Sequence, residues 1–145
     1  MDGHEYDVLR LENQLCFPLY ACSKEVIRRY KPFLDPLGLT YTQYIALMVL
    51  WEKSSITVKE LGERLYLDSG TLTPVLKKLE AKRYIQRHRS AQDERSVIIT
   101  LTQEGLALKE QACVVPLQMG ACVTLTMEER RQLYTLLQKM LSSMK

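Results

Sequence analysis

Apolar residues recur at helical spacing along most of the chain. Leu11, Leu15, Leu19, Cys22, Val26 and Tyr30, widened by Leu9 and Ile27, form one stripe and predict a helix over residues 8–30. Pro18 falls inside that stripe, where it would remove the bond to the Gln14 carbonyl, so a kink is expected there. Lys31-Pro-Phe-Leu-Asp-Pro-Leu-Gly38, with two prolines and a glycine, should break the helix. Thr40 opens the next one with Gln43 as its reciprocal capping partner, and Tyr44, Leu47, Met48 and Trp51 mark its apolar side. Lys53 to Ile56 reads as a link.

The pattern then tightens. Thr57-Val-Lys-Glu60 is again a capping-box pattern, and Val58, Leu61 and Leu65 share the face of a short helix. Asp68 or Ser69 can cap a second helix, whose Leu72, Val75, Leu76 and Leu79 fall at i, i+3, i+4 and i+7. Its other face carries Ser69, Thr71, Thr73, Lys77 and Lys78. Pro74 lies too far into this helix to be free of cost, and a local bend is expected. Ile85 to Arg89 and Ser96 to Leu101 then read as two strands around a polar tip that holds Asp93, Glu94 and Arg95. After them Thr102 caps a long helix through Ala107, Leu108, Ala112 and Val115, which Pro116 and Gly120 interrupt. The last helix starts at Thr126 with Glu129 as partner and carries Leu133, Leu136, Leu137, Met140 and Leu141.

Charge sharpens this picture. The chain has 145 residues with 20 Lys+Arg against 17 Asp+Glu, a net +3. Asp68 to Arg95 holds seven basic residues (Lys77, Lys78, Lys82, Arg83, Arg87, Arg89, Arg95) and four acidic ones (Asp68, Glu80, Asp93, Glu94), so the whole excess sits there. Helix, turn, helix and basic hairpin in that order point to double-stranded DNA, with the helix in the major groove and Arg95, braced by Asp93, in the minor groove. Arg89 belongs to the same basic tip.

The expected class is mainly α (α+β): a winged helix-turn-helix with long N- and C-terminal dimerisation helices. The domain organisation is one domain over 1–145, with a DNA-binding lobe at 57–101 and a helical dimerisation region at 8–56 and 102–145. A two-fold dimer would set two reading helices one DNA turn apart, about 34 Å, and call for a pseudo-palindromic operator. No apolar run approaches the ~20 residues of a membrane span, and the acidic N-terminus lacks a signal peptide's basic and apolar regions. A cytoplasmic location without membrane contact is expected. Cys16, Cys22, Cys113 and Cys122 are then expected to be thiols. They form no CxxC pair and the two histidines stand apart, so neither a metal nor a cofactor is expected.

Cys16, in Gln14-Leu15-Cys16-Phe17, is the candidate for control. A cysteine on an apolar helix is by default a small hydrophobe. Sensing a peroxide requires a stabilised thiolate, and the eight tyrosines of this chain offer phenol donors.

The chain resembles the MarR family of winged-helix repressors, and specifically its organic-hydroperoxide-sensing (OhrR) branch. The resemblance rests on Leu11-Glu-Asn-Gln-Leu-Cys-Phe17, Tyr30-Lys-Pro32, Leu39-Thr-Tyr-Thr-Gln-Tyr44, Leu65-Tyr-Leu-Asp-Ser-Gly-Thr-Leu-Thr-Pro74 and Asp93-Glu-Arg-Ser-Val97. It implies that Cys16 is the cysteine oxidised by an organic hydroperoxide, and that Tyr30 and Tyr41 hydrogen-bond its thiolate. Tyr30 is fourteen residues beyond Cys16, about 21 Å along one helix, so in this reading both phenols come from the other subunit of a homodimer. Some members of the branch form a disulfide to a resolving cysteine near the start of the last helix of the partner chain. Cys122 lies in that region, with Cys113 as second choice and Cys22 as a bystander. Pro18 departs from the branch pattern. Two other readings remain: a regulator that binds a small aromatic ligand in the dimer cleft with Cys16 inert, and a small thiol peroxidase. A non-enzymatic repressor is the expectation, because nothing near Cys16 in sequence would activate it for turnover and the basic hairpin would go unused.

Overall fold

The computed structural model describes residues 4–144; Met1 to Gly3 of the acidic N-terminus, and Lys145, lie outside the described residues. The elements run α1 (Cys16–Leu34), α2 (Tyr41–Lys53), β1 (Ser55–Thr57), α3 (Val58–Leu65), α4 (Ser69–Ala81), β2 (Ile85–Arg89), β3 (Val97–Leu101), α5 (Gln103–Ala112), α6 (Val115–Cys122) and α7 (Met127–Ser143).

The stripe expected to be one helix over 8–30 is divided. Asp7–Leu9 and Leu11–Asn13 are single 3-10 turns, and α1 begins only at Cys16. Side-chain amides compete with helix formation in this segment: Asn13 Nδ2 donates to the Asp7 carbonyl at 2.7 Å, and Gln14 Nε2 to the carbonyls of Val8 and Arg10 at 2.6 and 2.8 Å. Pro18 therefore sits in the first turn of α1, where its missing N–H has no helical partner to lose, and the expected kink has no cause. The break expected from Lys31 is also displaced. The helix runs through Pro32 to Leu34, and the chain turns at Asp35–Leu37 and at Gly38, whose φ of 68° suits a residue without Cβ.

Lys53 to Ile56, read as a link, contributes β1. It pairs antiparallel with β3, Ile56 opposite Ile99, and gives the sheet order β1-β3-β2. Three residues are too few to show an alternating pattern, so the strand exists only because β3 is there to bond it. The helix expected from Thr102 to Val115 ends at Ala112, and Val115 and Pro116 start α6, whose interior tolerates Gly120. Both halves of the capping boxes at Thr40 with Gln43 and at Thr126 with Glu129 are made.

One core serves the whole chain. Leu47 and Leu50 of α2, Leu61, Leu72, Leu76 and Leu79 of the helix-turn-helix, Ile85 and Ile99 of the hairpin, and Leu108 and Val115 beyond it belong to one buried cluster. Trp51 Nε1 donates to the Gly105 carbonyl at 2.8 Å, and a Cβ on Gly105 would collide with the Tyr84 carbonyl, so α5 lies tight against the reader. Lys82 Nζ donates to the Gly38 carbonyl and to Oε1 of the buried Gln43, tying the end of α4 to the start of α2.

Of the outer helices, only the C-terminal end of α1 joins this core, through the buried Leu34 and through Tyr30 and Phe33 packed against it. Leu34 is the only buried residue of α1, and α7 has none. Phe17, Leu19, Tyr20, Val26 and Ile27 on α1, and Leu133, Tyr134 and Leu136 on α7, are exposed in the isolated chain. Faces of this size mark an interaction surface. Among the described residues no helix is long and apolar enough to cross a membrane.

Candidate functional site

The DNA-reading surface is built on α4. Asp68 caps it, Oδ1 accepting the Thr71 N–H at 2.7 Å; Ser69, the alternative cap, is the first helical residue. Bonds from the Thr71 amide and hydroxyl hold the Asp68 carboxyl below its usual range. Leu72, Leu76 and Leu79 are buried, which turns Ser69, Thr71, Lys77 and Lys78 to solvent and leaves Thr73 half-buried. Thr73 Oγ1 donates to the Ser69 carbonyl at 2.7 Å, so this hydroxyl meets DNA only as an acceptor unless that bond opens. Pro74 lies on the exposed side, as does Gly70, whose carbonyl the proline cannot bond.

The wing tip is shaped from within. Arg89 Nη1 donates to the Glu94 carbonyl at 2.8 Å, and Asp93 Oδ1 accepts the Arg95 backbone N–H at 3.0 Å. The expected brace of Arg95 by Asp93 thus holds the backbone and not the guanidinium, which stays exposed. Asp93 can fold the tip this way because an Asx-type bond closes two residues on. An open groove of about 1080 Å³ separates wing from α4, with Asp68, Ser69, Thr73, Arg87, Asp93 and Arg95 on its walls.

The thiol site is presented separately. Cys16 is the first residue of α1 and is exposed, not packed along a helix interior as its apolar neighbours suggested. Helix N-termini carry unbonded N–H groups and the positive end of the dipole, an environment that favours an anion. Beside it, Arg10, Leu11, Glu12, Gln14, Phe17 and Pro18 line a shallow groove.

Tyr30 and Tyr41 are brought together, with ring centroids 4.9 Å apart, and Tyr44 joins them at 5.9 and 6.4 Å. Burial raises the Tyr30 and Tyr41 phenols above their usual value, so both are protonated donors at neutral pH. The sequence pattern marks Tyr44 only as an apolar residue of α2; its place three residues after Tyr41, on the same helical face, is the signal for the cluster. The phenols do not meet the Cys16 of their own chain, which starts the helix that Tyr30 continues.

Cys122 ends α6, five residues ahead of the last helix, with its thiol 3.6 Å from the Gln118 carbonyl. Arg130 brackets it: Nη2 donates to the Gly120 and Val123 carbonyls, both at 2.7 Å, and Nε to the Leu125 carbonyl at 3.2 Å. All four cysteines are free and exposed, and Cys113 donates to the Lys109 carbonyl. Among the described residues no cluster of His, Cys, Asp or Glu could hold a metal ion.

Comparisons with known proteins agree on one kind of molecule. Residues 28–112 match the family described as transcriptional regulator SarA/Rot. The organic hydroperoxide resistance transcriptional regulator of Bacillus subtilis is 51% identical over 139 residues, covering 93% of this chain and 95% of that one. The structure of overoxidized AbfR bound to DNA, a Staphylococcus epidermidis protein, superposes with a TM-score of 0.78 at 35% identity over 97% of this chain and 99% of that one. Disulfide-formed AbfR superposes less well, with a TM-score of 0.67 at 34% identity over 99% and 98%. A mutant MarR of E. coli complexed with operator DNA gives 0.80 at 29% identity over 88% and 93%.

Proposed function

The chain belongs to the MarR family of winged-helix transcriptional regulators, in its organic-hydroperoxide-sensing branch, and from that premise we propose how it reads DNA and senses oxidant. It is a redox-sensing, DNA-binding repressor. Two copies pair through the exposed faces of α1 and α7 and hold two α4 helices one turn apart on an inverted-repeat operator. Ser69, Thr71, Thr73, Lys77 and Lys78 face the major groove, while Arg95, on a tip shaped by Arg89 and Asp93, enters the minor groove. Reading DNA places this work in the cytoplasm.

The observation that carries the sensing reading is the tyrosine cluster. Among the described residues neither the Tyr30 nor the Tyr41 hydroxyl has a hydrogen-bond partner, although both rings are half-buried. Two protonated donors without an acceptor, beside a face that a second copy covers, suit the partner's Cys16 thiolate. That thiolate attacks the outer oxygen of an organic hydroperoxide. The O–O bond breaks, the alkoxide takes a proton and leaves as the alcohol, and sulfur, oxidised by two electrons, becomes the sulfenic acid. Each thiol reacts once, as a switch and not as a peroxidase. A Cys122 thiol of the other subunit then displaces hydroxide from the sulfenic sulfur and, with its proton, releases water as the disulfide closes. The loss of the thiolate charge that the phenol pair had bonded, together with the new disulfide, shifts α1 and the spacing of the reading heads; a few kcal/mol of differential stability suffices to release DNA.

The test is operator binding with and without cumene hydroperoxide for the wild type and Cys16→Ser. Release of the wild type alone is the expected result. Equal release of both proteins would favour a ligand in the dimer cleft and remove Cys16 from the mechanism.

A further inference from the structure

We infer that Glu80 and Arg87 fix the attitude of the wing relative to the reading helix, and are positioning residues for operator binding; this rests on the DNA-reading role proposed above. Glu80 is the penultimate residue of α4. Its Oε1 accepts Arg87 Nη2 at 3.0 Å and its Oε2 accepts the Arg87 backbone N–H at 3.2 Å. The second bond is available because β2 is an edge strand, so the outward N–H of Arg87 has no neighbouring strand to bond. One carboxylate thus grips both the side chain and the backbone of the same wing residue, restraining rotation as well as separation.

At the base of the wing the Tyr84 N–H donates to the Leu79 carbonyl at 3.1 Å; beyond that turn, among the described residues, nothing else polar spans the gap. The two Glu80 bonds are, among the described residues, the only hydrogen bonds between α4 and the two wing strands, since the bonds of Arg89 and Asp93 are internal to the tip. The pair is partly shielded, with 39% of the Glu80 and 26% of the Arg87 side chain exposed, so salt screens it less than a surface pair. Arg87 Nε is buried without a partner. The guanidinium therefore does not sit where its own donors are best satisfied; it sits where Glu80 and the groove wall put it. From there it faces the groove shared by Ser69 and Thr73 on one side and Arg95 on the other. Wing placement, and with it the reach of Arg95, depends on this clamp plus apolar packing.

The test uses the full-length protein and a duplex that the wild type selects from a random pool. Glu80→Ala should bind about tenfold more weakly, the scale of one lost charged hydrogen bond. Hydroxyl-radical protection should disappear at the outer minor-groove flanks and persist at the centre of each half-site. The loss should be non-additive with Arg95→Ala, because a misplaced wing has already forfeited that contact. Glu80→Gln, which keeps the shape and one acceptor, should fall between, and Arg87→Lys should retain most flank protection. A purely structural role predicts uniformly weaker protection and additive losses, and either result overturns the inference, as does wild-type flank protection in Glu80→Ala. Absence of flank protection in the wild type would instead sink the wing reading itself.

Discussion

Tyr30 of α1 and Tyr41 of α2 pack their rings 4.9 Å apart at a tilt of 48°, and among the described residues neither hydroxyl bonds to anything in its own chain. The rings hold the two helices together while the hydroxyls stay available. Tyr30→Phe and Tyr41→Phe should therefore leave thermal stability unchanged yet each slow Cys16 oxidation by hydroperoxide about tenfold, as expected for a lost hydrogen bond to a charged group. Thiol titration against time reads the rate. Unchanged rates in both variants would remove the phenols from the mechanism.

Pro18 sits in the first turn of α1 and not in its middle. Pro18→Ala should change unfolding free energy by less than about 0.5 kcal/mol. A mid-helix proline costs about 3 kcal/mol, so a stabilisation of that size on removal would restore the kink read from the sequence. Urea unfolding distinguishes the two.

Gly105 has no room for a side chain, because a Cβ would strike the Tyr84 carbonyl and the Leu101 side chain. Gly105→Ala should cost about 1–3 kcal/mol, the usual range for overpacking, even though alanine is the better helix former. A denaturant midpoint equal to wild type would contradict the packing of α5 against the wing.

Three carboxyls are held below their usual range: Asp68 by the amide and hydroxyl of Thr71, Glu80 by the Arg87 guanidinium, and Glu129 by the amide and hydroxyl of Thr126. Their folded values lie below their unfolded ones, so the stability they add is complete above the unfolded values, near pH 4, and is lost as pH falls through the folded ones. Tyr30, Tyr41 and Tyr44 are raised, chiefly by burial, so their contribution is complete below about pH 10 and fades as pH climbs beyond it. Unfolding midpoints should be level between about pH 5 and 9 and fall on both sides. A midpoint still rising as the pH drops below 4 would reverse these assignments.

Arg130 holds the turn that carries Cys122 through three backbone carbonyls. After hydroperoxide, a cross-linked dimer should appear on a non-reducing gel for the wild type and Cys113→Ser, vanish for Cys122→Ser, and form more slowly for Arg130→Ala, whose thiol is no longer held in place. Cross-linking that survives Cys122→Ser and vanishes with Cys113→Ser would transfer the resolving role.

Local rules governed what could be read from the residues alone. The caps at Thr40, Asp68, Thr102 and Thr126, the leucine stripe of α4 and the hairpin depend on residues a few positions apart, and all are present in the fold. The Asp68 to Arg95 charge excess and the Cys16 motif needed no coordinates. What the sequence could not decide was whatever depended on distant partners. β1 exists through β3, and Glu80 meets Arg87 only once the chain has turned between them. The start of α1 was missed because the same apolar stripe continues into turns closed by Asn13 and Gln14 amides, a competition that spacing cannot rank. Periodicity marks a face as apolar; only the packed chain shows that the faces of α1 and α7 remain uncovered by their own core.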